Sequence, residues 1–402
     1  MLPGAQKYKC IINQNKMYKR RKVFWAACIG ILFFGMAITT LGSVVPQLRI
    51  KFHLDDISAG TLFSILPFGI LMGSLFFGPF CDRYGYRILL TLTCFSIFIG
   101  FEGIAYAPSL VILKICVFLF GLGGGAINGA TSALVSDISK KEKGANLSLL
   151  GVFFAIGALG MPFLLGILEN RFSYEIILSI IGIATFIVGV YYLLIKFPPP
   201  KHTGGLPVAK SLSLLKDSVL LLIAFFLFFQ SAFEGIINNW TTTYLSGYLH
   251  ILPGKALYAL SLSVLGTTVM RLLLGSVFRN ADAKKIWTIS LSLLLAGLLF
   301  LSLGKLFYPA VVGLILIGAG LAAGFPIMLG YVGDRFKELS GTAFSIVFVI
   351  ALIGNMIINY SMGYIVQKYG VRQLTTVGFV EFFIMSFLCI VILKKINNNN
   401  KN

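Results

Sequence analysis

The chain has 402 residues, of which 57% are hydrophobic and only 12% charged, with 36 phenylalanines and a mean hydropathy of +0.91. A water-soluble fold of this length has no room to hide so much apolar surface, so a soluble globular protein is excluded. The formal net charge of +19 would suit a nucleic-acid surface only if it were gathered on one face, and it is not.

In chain order, residues 1–22 form a basic tail ending in Lys19, Arg20, Arg21 and Lys22. Apolar runs then recur at 23–45, 58–80, 88–107, 110–136, 144–168 and 174–196. A linker at 197–217 carries Pro198-Pro199-Pro200 and Gly204-Gly205, which suit a flexible connection. Six more runs follow at 218–246, 256–278, 286–304, 308–333, 340–365 and 372–393, with a short tail at 394–402. Each run is long enough to cross a hydrocarbon core of about 30 Å. Backbone amides in lipid need partners within their own segment, so the pattern predicts an all-α integral membrane protein with twelve transmembrane helices. The first run follows a basic segment, as a secretory leader would. It is too long for one and lacks a small-x-small cleavage site, so it is read as a retained span.

With the N-terminus cytoplasmic, 24 of the 33 Lys and Arg fall in cytoplasmic tails and loops, among them Lys140, Lys141, Lys143, Lys284, Lys285, Lys394 and Lys395. Seven fall outside: Arg49, Lys51, Arg171, Lys255, Lys305, Lys368 and Arg372. This bias predicts a multi-pass protein of the plasma (cell inner) membrane with both termini cytoplasmic, and it accounts for the charge without nucleic acid. The six cysteines show no paired spacing, so neither a disulfide framework nor a metal site is expected.

Shifting the chain on itself by 197 residues reveals a repeat. Gly121, Gly123, Val135, Asp137, Gly144, Ser148, Gly157 and Gly166 fall on Gly318, Gly320, Val332, Asp334, Gly341, Ser345, Gly354 and Gly363. Over 121–166 there are twelve identities in 46 ungapped positions. His53 and His250 stand at the same offset. Two six-span halves related in this way predict a solute site between them near the membrane midplane.

Charge inside a membrane is costly, so the intramembrane polar groups are the candidate functional residues. In span seven Gln230, Glu234, Asn238 and Thr242 stand four apart on one helical face, with Asn239, Trp240 and Tyr244 beside them. Thr39, Ser43 and Gln47 form a matching stripe in span one. Asn128 lies in the glycine-rich span four, and Asn355 and Asn359 are four apart in span eleven. Amides and hydroxyls in this number suit a solute with many hydroxyls, and Trp240 suits stacking on a sugar face; single Asn and Ser residues also glue helices together. Glu102, near the end of span three, reads equally as an interfacial acid; Glu381 is deeper, in span twelve, and Lys114 lies one turn into span four, where it can snorkel.

Between spans two and three runs Gly78-Pro79-Phe80-Cys81-Asp82-Arg83-Tyr84-Gly85-Tyr86-Arg87, followed by Leu90. Gly78, Asp82, Arg83, Gly85, Arg87 and Leu90 match the charged intracellular turn of the major facilitator transporters, with Tyr86 in place of a second basic residue, and the chain resembles that superfamily from end to end. The resemblance implies two pseudo-symmetric six-helix bundles, spans three, six, nine and twelve as outer supports, and alternating access by rocking of the halves. It implies a gating role for the turn, in which Gly78 allows close helix approach and Asp137 partners Arg83 or Arg87. The second half keeps a worn copy from Gly275 to Lys284, preceded by Arg271, with Asp334 in the place of Asp137.

The segment Glu234 to Leu245, with its acid, Trp240 six residues later and Tyr244-Leu245, resembles fucose–proton symporter-like sugar permeases, as does Val45-Pro46-Gln47-Leu48. Those symporters carry acids in spans one and four, where this chain places Gly42 and Ala126, which leaves Glu234 as the proton carrier of a coupled mechanism. The drug–proton antiporter branch implies an arginine at the position of Val117. The expectation is a proton-coupled symporter, working as a monomer on a small polar solute, a sugar or sugar-like compound. Export of amphipathic compounds and a non-transporting receptor of the same shape are the alternatives. Enzyme motifs such as HExxH and GxSxG are missing, and no cofactor is expected.

Overall fold

The computed structural model describes residues 18–139, 143–199, 214–278, 281–303, 306–336 and 340–399. Lys140, Lys141, most of the linker 197–217 and parts of both tails lie outside them. Among the described residues the regular structure is helical, with twelve helices long and apolar enough to span a membrane. They are α1 (Arg20–Phe52), α2 (Asp56–Gly78), α3 (Arg83–Tyr106), α4 (Leu110–Ile138), α5 (Leu149–Leu168), α6 (Tyr174–Leu194), α7 (Ser218–Gly247), α8 (Pro253–Gly275), α9 (Ala283–Leu303), α10 (Phe307–Arg335), α11 (Ala343–Tyr369) and α12 (Gln373–Ile396). Large apolar side chains such as Val111, Ile187, Phe383 and Phe387 stand exposed, as a lipid-facing surface requires.

Two interruptions depart from smooth helices. The run Asp56–Tyr106 turns at Gly85, whose φ of 79° and ψ of 168° suit only glycine. Span ten, expected as one helix, divides into Phe307–Leu321 and Gly324–Arg335. Pro326 has no N–H to return to the Ala322 carbonyl, so the helical ladder loses a bond where it divides.

Contacts gather the described residues into two compact units. The first takes the chain to Ile38, Phe68–Gly160 and the described part of Asn170–Gly205. The second takes Thr39–Pro67, Met161–Glu169 and the described residues from Leu206 onward. A division at the linker alone would put α1, α2 and α5 wholly in the first unit; by contact, their ends away from the basic loops belong with the second.

The 197-residue repeat is visible in each unit's packing. A Cβ on Gly69 would overlap the Phe118 carbonyl in the first unit, and one on Gly266 the Ile315 carbonyl in the second. A Cβ on Gly123 would stand 2.8 Å from the Thr93 carbonyl, and one on Gly320 2.8 Å from the Ser290 carbonyl. Both pairs of contacts are offset by 197 positions on each side.

In the second unit the ends opposite the basic loops are packed closely. A Cβ on Gly60 would lie 2.9 Å from the Asn359 carbonyl, and the Ser64 hydroxyl donates to the Met356 carbonyl at 2.8 Å. The Glu169 carboxylate sits against Gly254 in the first turn of α8. Burial pushes its carboxyl up, against the Gly254 N–H that stabilises the ionised form.

Candidate solute site

The polar stripe of α7 is closed at its ends and open in its middle. Gln230 and Thr242 are 1% exposed, whereas Glu234 and Asn238 are half-buried. At one end the Gln230 amide donates to the Leu321 carbonyl, at the division of α10, and to Glu234 Oε1 at 3.3 Å. At the other end the Thr242 hydroxyl donates to the Gly42 carbonyl at 2.6 Å. A Cβ on Gly42 would overlap the Asn238 carbonyl. An acid at position 42, as in the fucose symporters, has no room in this packing.

Arg271 of α8 was expected at the gate. The structure brings it to Glu234 instead, with Nη2 3.9 Å from Oε1 and side chains 39% and 27% exposed. At that separation two unit charges attract by about 4 kcal/mol for an effective dielectric of about 20, before either is dehydrated. Periodicity within one helix carries no information about which residue of a neighbouring helix lies opposite, so the pair was not legible in sequence.

Most of the other amides are occupied. Asn239 Nδ2 donates to Asn359 Oδ1 at 3.0 Å, and Asn359 Nδ2 donates to Asn355 Oδ1 at 2.9 Å. Asn355 Nδ2 in turn donates to the Ser231 carbonyl at 2.7 Å. This chain of amides ties α11 to α7 across Gly235, where a Cβ would stand 2.6 Å from Asn359 Nδ2. The half-buried Asn238, one turn from Glu234 on the same face of α7, is the amide that remains beside the carboxylate.

Trp240 was expected to offer a stacking face. Its ring is 0% exposed, edge-on to Phe63 at 5.3 Å and beneath the Arg49 guanidinium at 5.8 Å, so it is packed in this conformation. Tyr244 is buried and its hydroxyl donates to the Leu301 carbonyl at 3.0 Å. On α1, Thr39 and Ser43 are buried, and the Ser43 hydroxyl donates to the Thr39 carbonyl at 2.7 Å. Gln47 is half-buried, with Oε1 unbonded among the described residues. Asn128 is exposed and belongs to the first unit, whereas the α7 cluster belongs to the second. An apolar cavity of about 210 Å³ in that unit, lined by Phe76, Phe77, Phe80, Leu92 and Ala126 among others, contains none of the predicted solute residues. Glu102 accepts from Ser179 at 2.9 Å and so joins α3 to α6. Glu381 is 2% exposed, with neither oxygen bonded among the described residues.

At the intracellular turn, the Asp137 carboxylate accepts from the Tyr86 hydroxyl at 2.8 Å. The residue that departs from the family motif therefore supplies a partner to the acid that Arg83 or Arg87 was expected to hold. Arg87 donates to the Leu193 carbonyl at the end of α6, and Arg83 is exposed, 5.3 Å over the Tyr84 ring. The Asp82 side chain lies outside the described residues. A Cβ on Gly78 would meet nothing within 4 Å, so close helix approach, the expected reason for that glycine, does not occur here. Gly85 is instead the glycine whose backbone demands it.

In the second unit Asp334 is exposed, and the acid engaged is Asp217, which sequence reasoning missed. Asp217 Oδ1 accepts from Val219 N and Leu220 N, both at 2.9 Å, capping α7. Its Oδ2 accepts from Arg335 Nε and Nη2 at 3.1 and 2.7 Å. A helix-start signal, Asp217 followed by an apolar run, was readable; the arginine at the end of α10 was not.

Twelve apolar helices, a duplicated packing pattern and a charged turn with its glycine in the left-handed region are all in place. The Major Facilitator Superfamily profile matches residues 27–358, from α1 into α11. The chain belongs to the major facilitator superfamily. As a member it is a secondary transporter of a small solute across a membrane, and not an enzyme. Among its relatives, the inner membrane transport protein YdiN of Escherichia coli K12 is 24% identical over 402 residues, covering 95% of this chain and 92% of YdiN. The solved nucleoside transporter NupG shares the fold with a TM-score of 0.75 at 14% identity, over 93% of this chain and 98% of NupG. The D-xylose–proton symporter does so with a TM-score of 0.73 at 13% identity, over 92% and 96%. At these identities the structures speak to the major facilitator fold alone, and the relatives do not single out the fucose–proton branch.

Proposed function

We propose that this superfamily member is a proton-coupled symporter of a small polar, sugar-like solute, working as a single chain in the inner membrane with both termini cytoplasmic. The observation that carries this reading is Glu234: a carboxylate in the middle of a membrane-length helix, half-buried between two closed ends of its own stripe. A charged group at that depth is costly unless it faces a wet path, and a carboxylate there can take up and release a proton as access changes. Asn238, one turn along the same face, offers a donor and an acceptor for solute hydroxyls. Sharing its fold with a D-xylose–proton symporter is compatible with the sugar-like class.

The outer ends of α1, α2 and α5, packed against α7, α8 and α11, form the gate that opens toward the outside in this reading. The test is uptake into proteoliposomes with an imposed pH gradient. Glu234→Gln is expected to lose proton-driven accumulation by at least about tenfold, one pK unit's worth of coupling or more, while solute counterflow persists. Normal accumulation by that variant removes Glu234 from the mechanism. Asp82→Asn, at the gate, is expected to slow both modes together.

A further inference from the structure

The Arg271 guanidinium is poorly used by the protein. It lies 3.9 Å from Glu234, longer than a hydrogen bond, and no described residue hydrogen-bonds it. Its planar fork of five N–H donors stands 39% exposed beside the half-buried carboxylate. Among the described residues it is also the one charged group that acts on Glu234: α10, α11 and α12, though packed on α7, present none to it. Such a fork is shaped to take a carboxylate through two parallel hydrogen bonds.

The charge balance of the site narrows the solute further. With Glu234 ionised, the carboxylate and guanidinium sum to zero. A proton placed on Glu234 leaves Arg271 as an uncompensated cation inside the membrane, a costly state. A neutral sugar entering with the proton does nothing to relieve it. A solute carboxylate entering with the proton restores the zero sum: Glu234 gains the proton, and the solute oxygens occupy Arg271 in its place.

We propose that the solute is a small hydroxylated monocarboxylate, a sugar acid in chemical class, whose carboxylate binds Arg271 when Glu234 is protonated. This rests on the proton-coupled reading above and adds the solute's charge to it. Each cycle then moves one proton and one anion, and therefore no net charge.

The test uses the full-length protein in proteoliposomes, with radiolabelled gluconate and galacturonate matched against glucose and galactose. The pH gradient and the membrane potential are imposed separately, the latter with potassium and valinomycin. The expected result is accumulation of at least one acid under an alkaline interior, with an initial rate that changes less than twofold when the potential is imposed. Arg271→Gln is expected to lower that uptake by more than tenfold, with Arg271→Lys between the two. If Arg271→Gln does not assemble, the charge measurement on the unaltered protein decides alone.

Failure to accumulate either acid overturns the proposal, whatever the sugars do. Accumulation of a neutral sugar driven by both gradients overturns it as well, while leaving proton coupling intact. Acid uptake indifferent to the pH gradient overturns proton coupling, and with it the exchange at Arg271.

Discussion

Gln230 hydrogen-bonds the main-chain carbonyl of Leu321, at the point where α10 divides. The same amide nitrogen reaches Glu234 at 3.3 Å. One side chain thus joins the membrane carboxylate to the two-piece helix whose far end carries Arg335. Gly324 makes this possible, because a Cβ there would overlap the Gln230 amide.

Two different substitutions are therefore expected to converge. Gln230→Leu removes the link directly, and Gly324→Ala displaces it by volume. Loss of a hydrogen bond to a charged group costs about 1.5–3 kcal/mol, so each variant is expected to lower the proton-driven uptake rate by about 10- to 100-fold. Combining them is expected to add little, since both cut one connection. Initial-rate uptake for the two single variants and the double variant checks this; independent, multiplying losses would show that Gly324 acts elsewhere.

Gly42→Leu is expected to prevent the close approach of α1 to α7. Its Cβ would overlap the Asn238 carbonyl, and the Thr242 bond to the Gly42 carbonyl would be lost with it. The variant is expected to reach the membrane, to transport at background level, and to expose the α1–α7 seam. In a cysteine-free background, Asn238→Cys alone is expected to resist an impermeant maleimide added outside. The same cysteine combined with Gly42→Leu is expected to label at least about tenfold faster, which corresponds to a shift of about 1.4 kcal/mol in the population of the sealed state. Equal labelling would show that the seam does not govern access.

The Asp217–Arg335 pair yields a pH prediction. Burial raises the Asp217 carboxyl, but Arg335 and the N–H groups of Leu220 and Val219 outweigh it and hold the carboxyl below its ordinary value. A lowered pKa stabilises the fold above the unfolded value, about 3.9 for aspartate, and that stabilisation is lost as pH falls through the folded one. Asp217→Ala is expected to cost about 1 kcal/mol through the lost cap. Asp217→Asn, which keeps a capping oxygen, is expected to cost less. Both deficits should stay constant between about pH 6 and 8 and shrink below about pH 4, as the native carboxyl protonates. Thermal unfolding of the detergent-solubilised protein over that range is the measurement. A deficit that grew on acidification would contradict the sign.

The two histidines at the repeat offset show how far local sequence reaches. His53 and His250 are the non-glycine residues with positive φ among those described, at 49° and 53°. Each follows the end of its helix, α1 or α7, so the duplication preserved a backbone conformation as well as a residue. The repeat was legible because both copies of a packing contact need the same small residue, as at Gly69 and Gly266 or Gly123 and Gly320. The α7 stripe was legible for a related reason: residues four apart share a helical face whatever surrounds it.

Other features required the packed chain. That Tyr86 reaches Asp137, that Arg335 reaches Asp217, and that three of the predicted amides are engaged with one another are facts about pairs of helices. Gly78 illustrates the converse: its place in a motif suggested a close approach that the packing does not contain.

From its amino acids alone, the chain's twelve spans, its bias of basic loops and its twofold ancestry followed, because lipid imposes helical backbone and apolar length on each segment independently. Which residue faces Glu234 did not follow. Arg271 sits opposite it only because α8 lies along α7 at one particular rotation and height, quantities set by side-chain packing across the interface and encoded in no single helix.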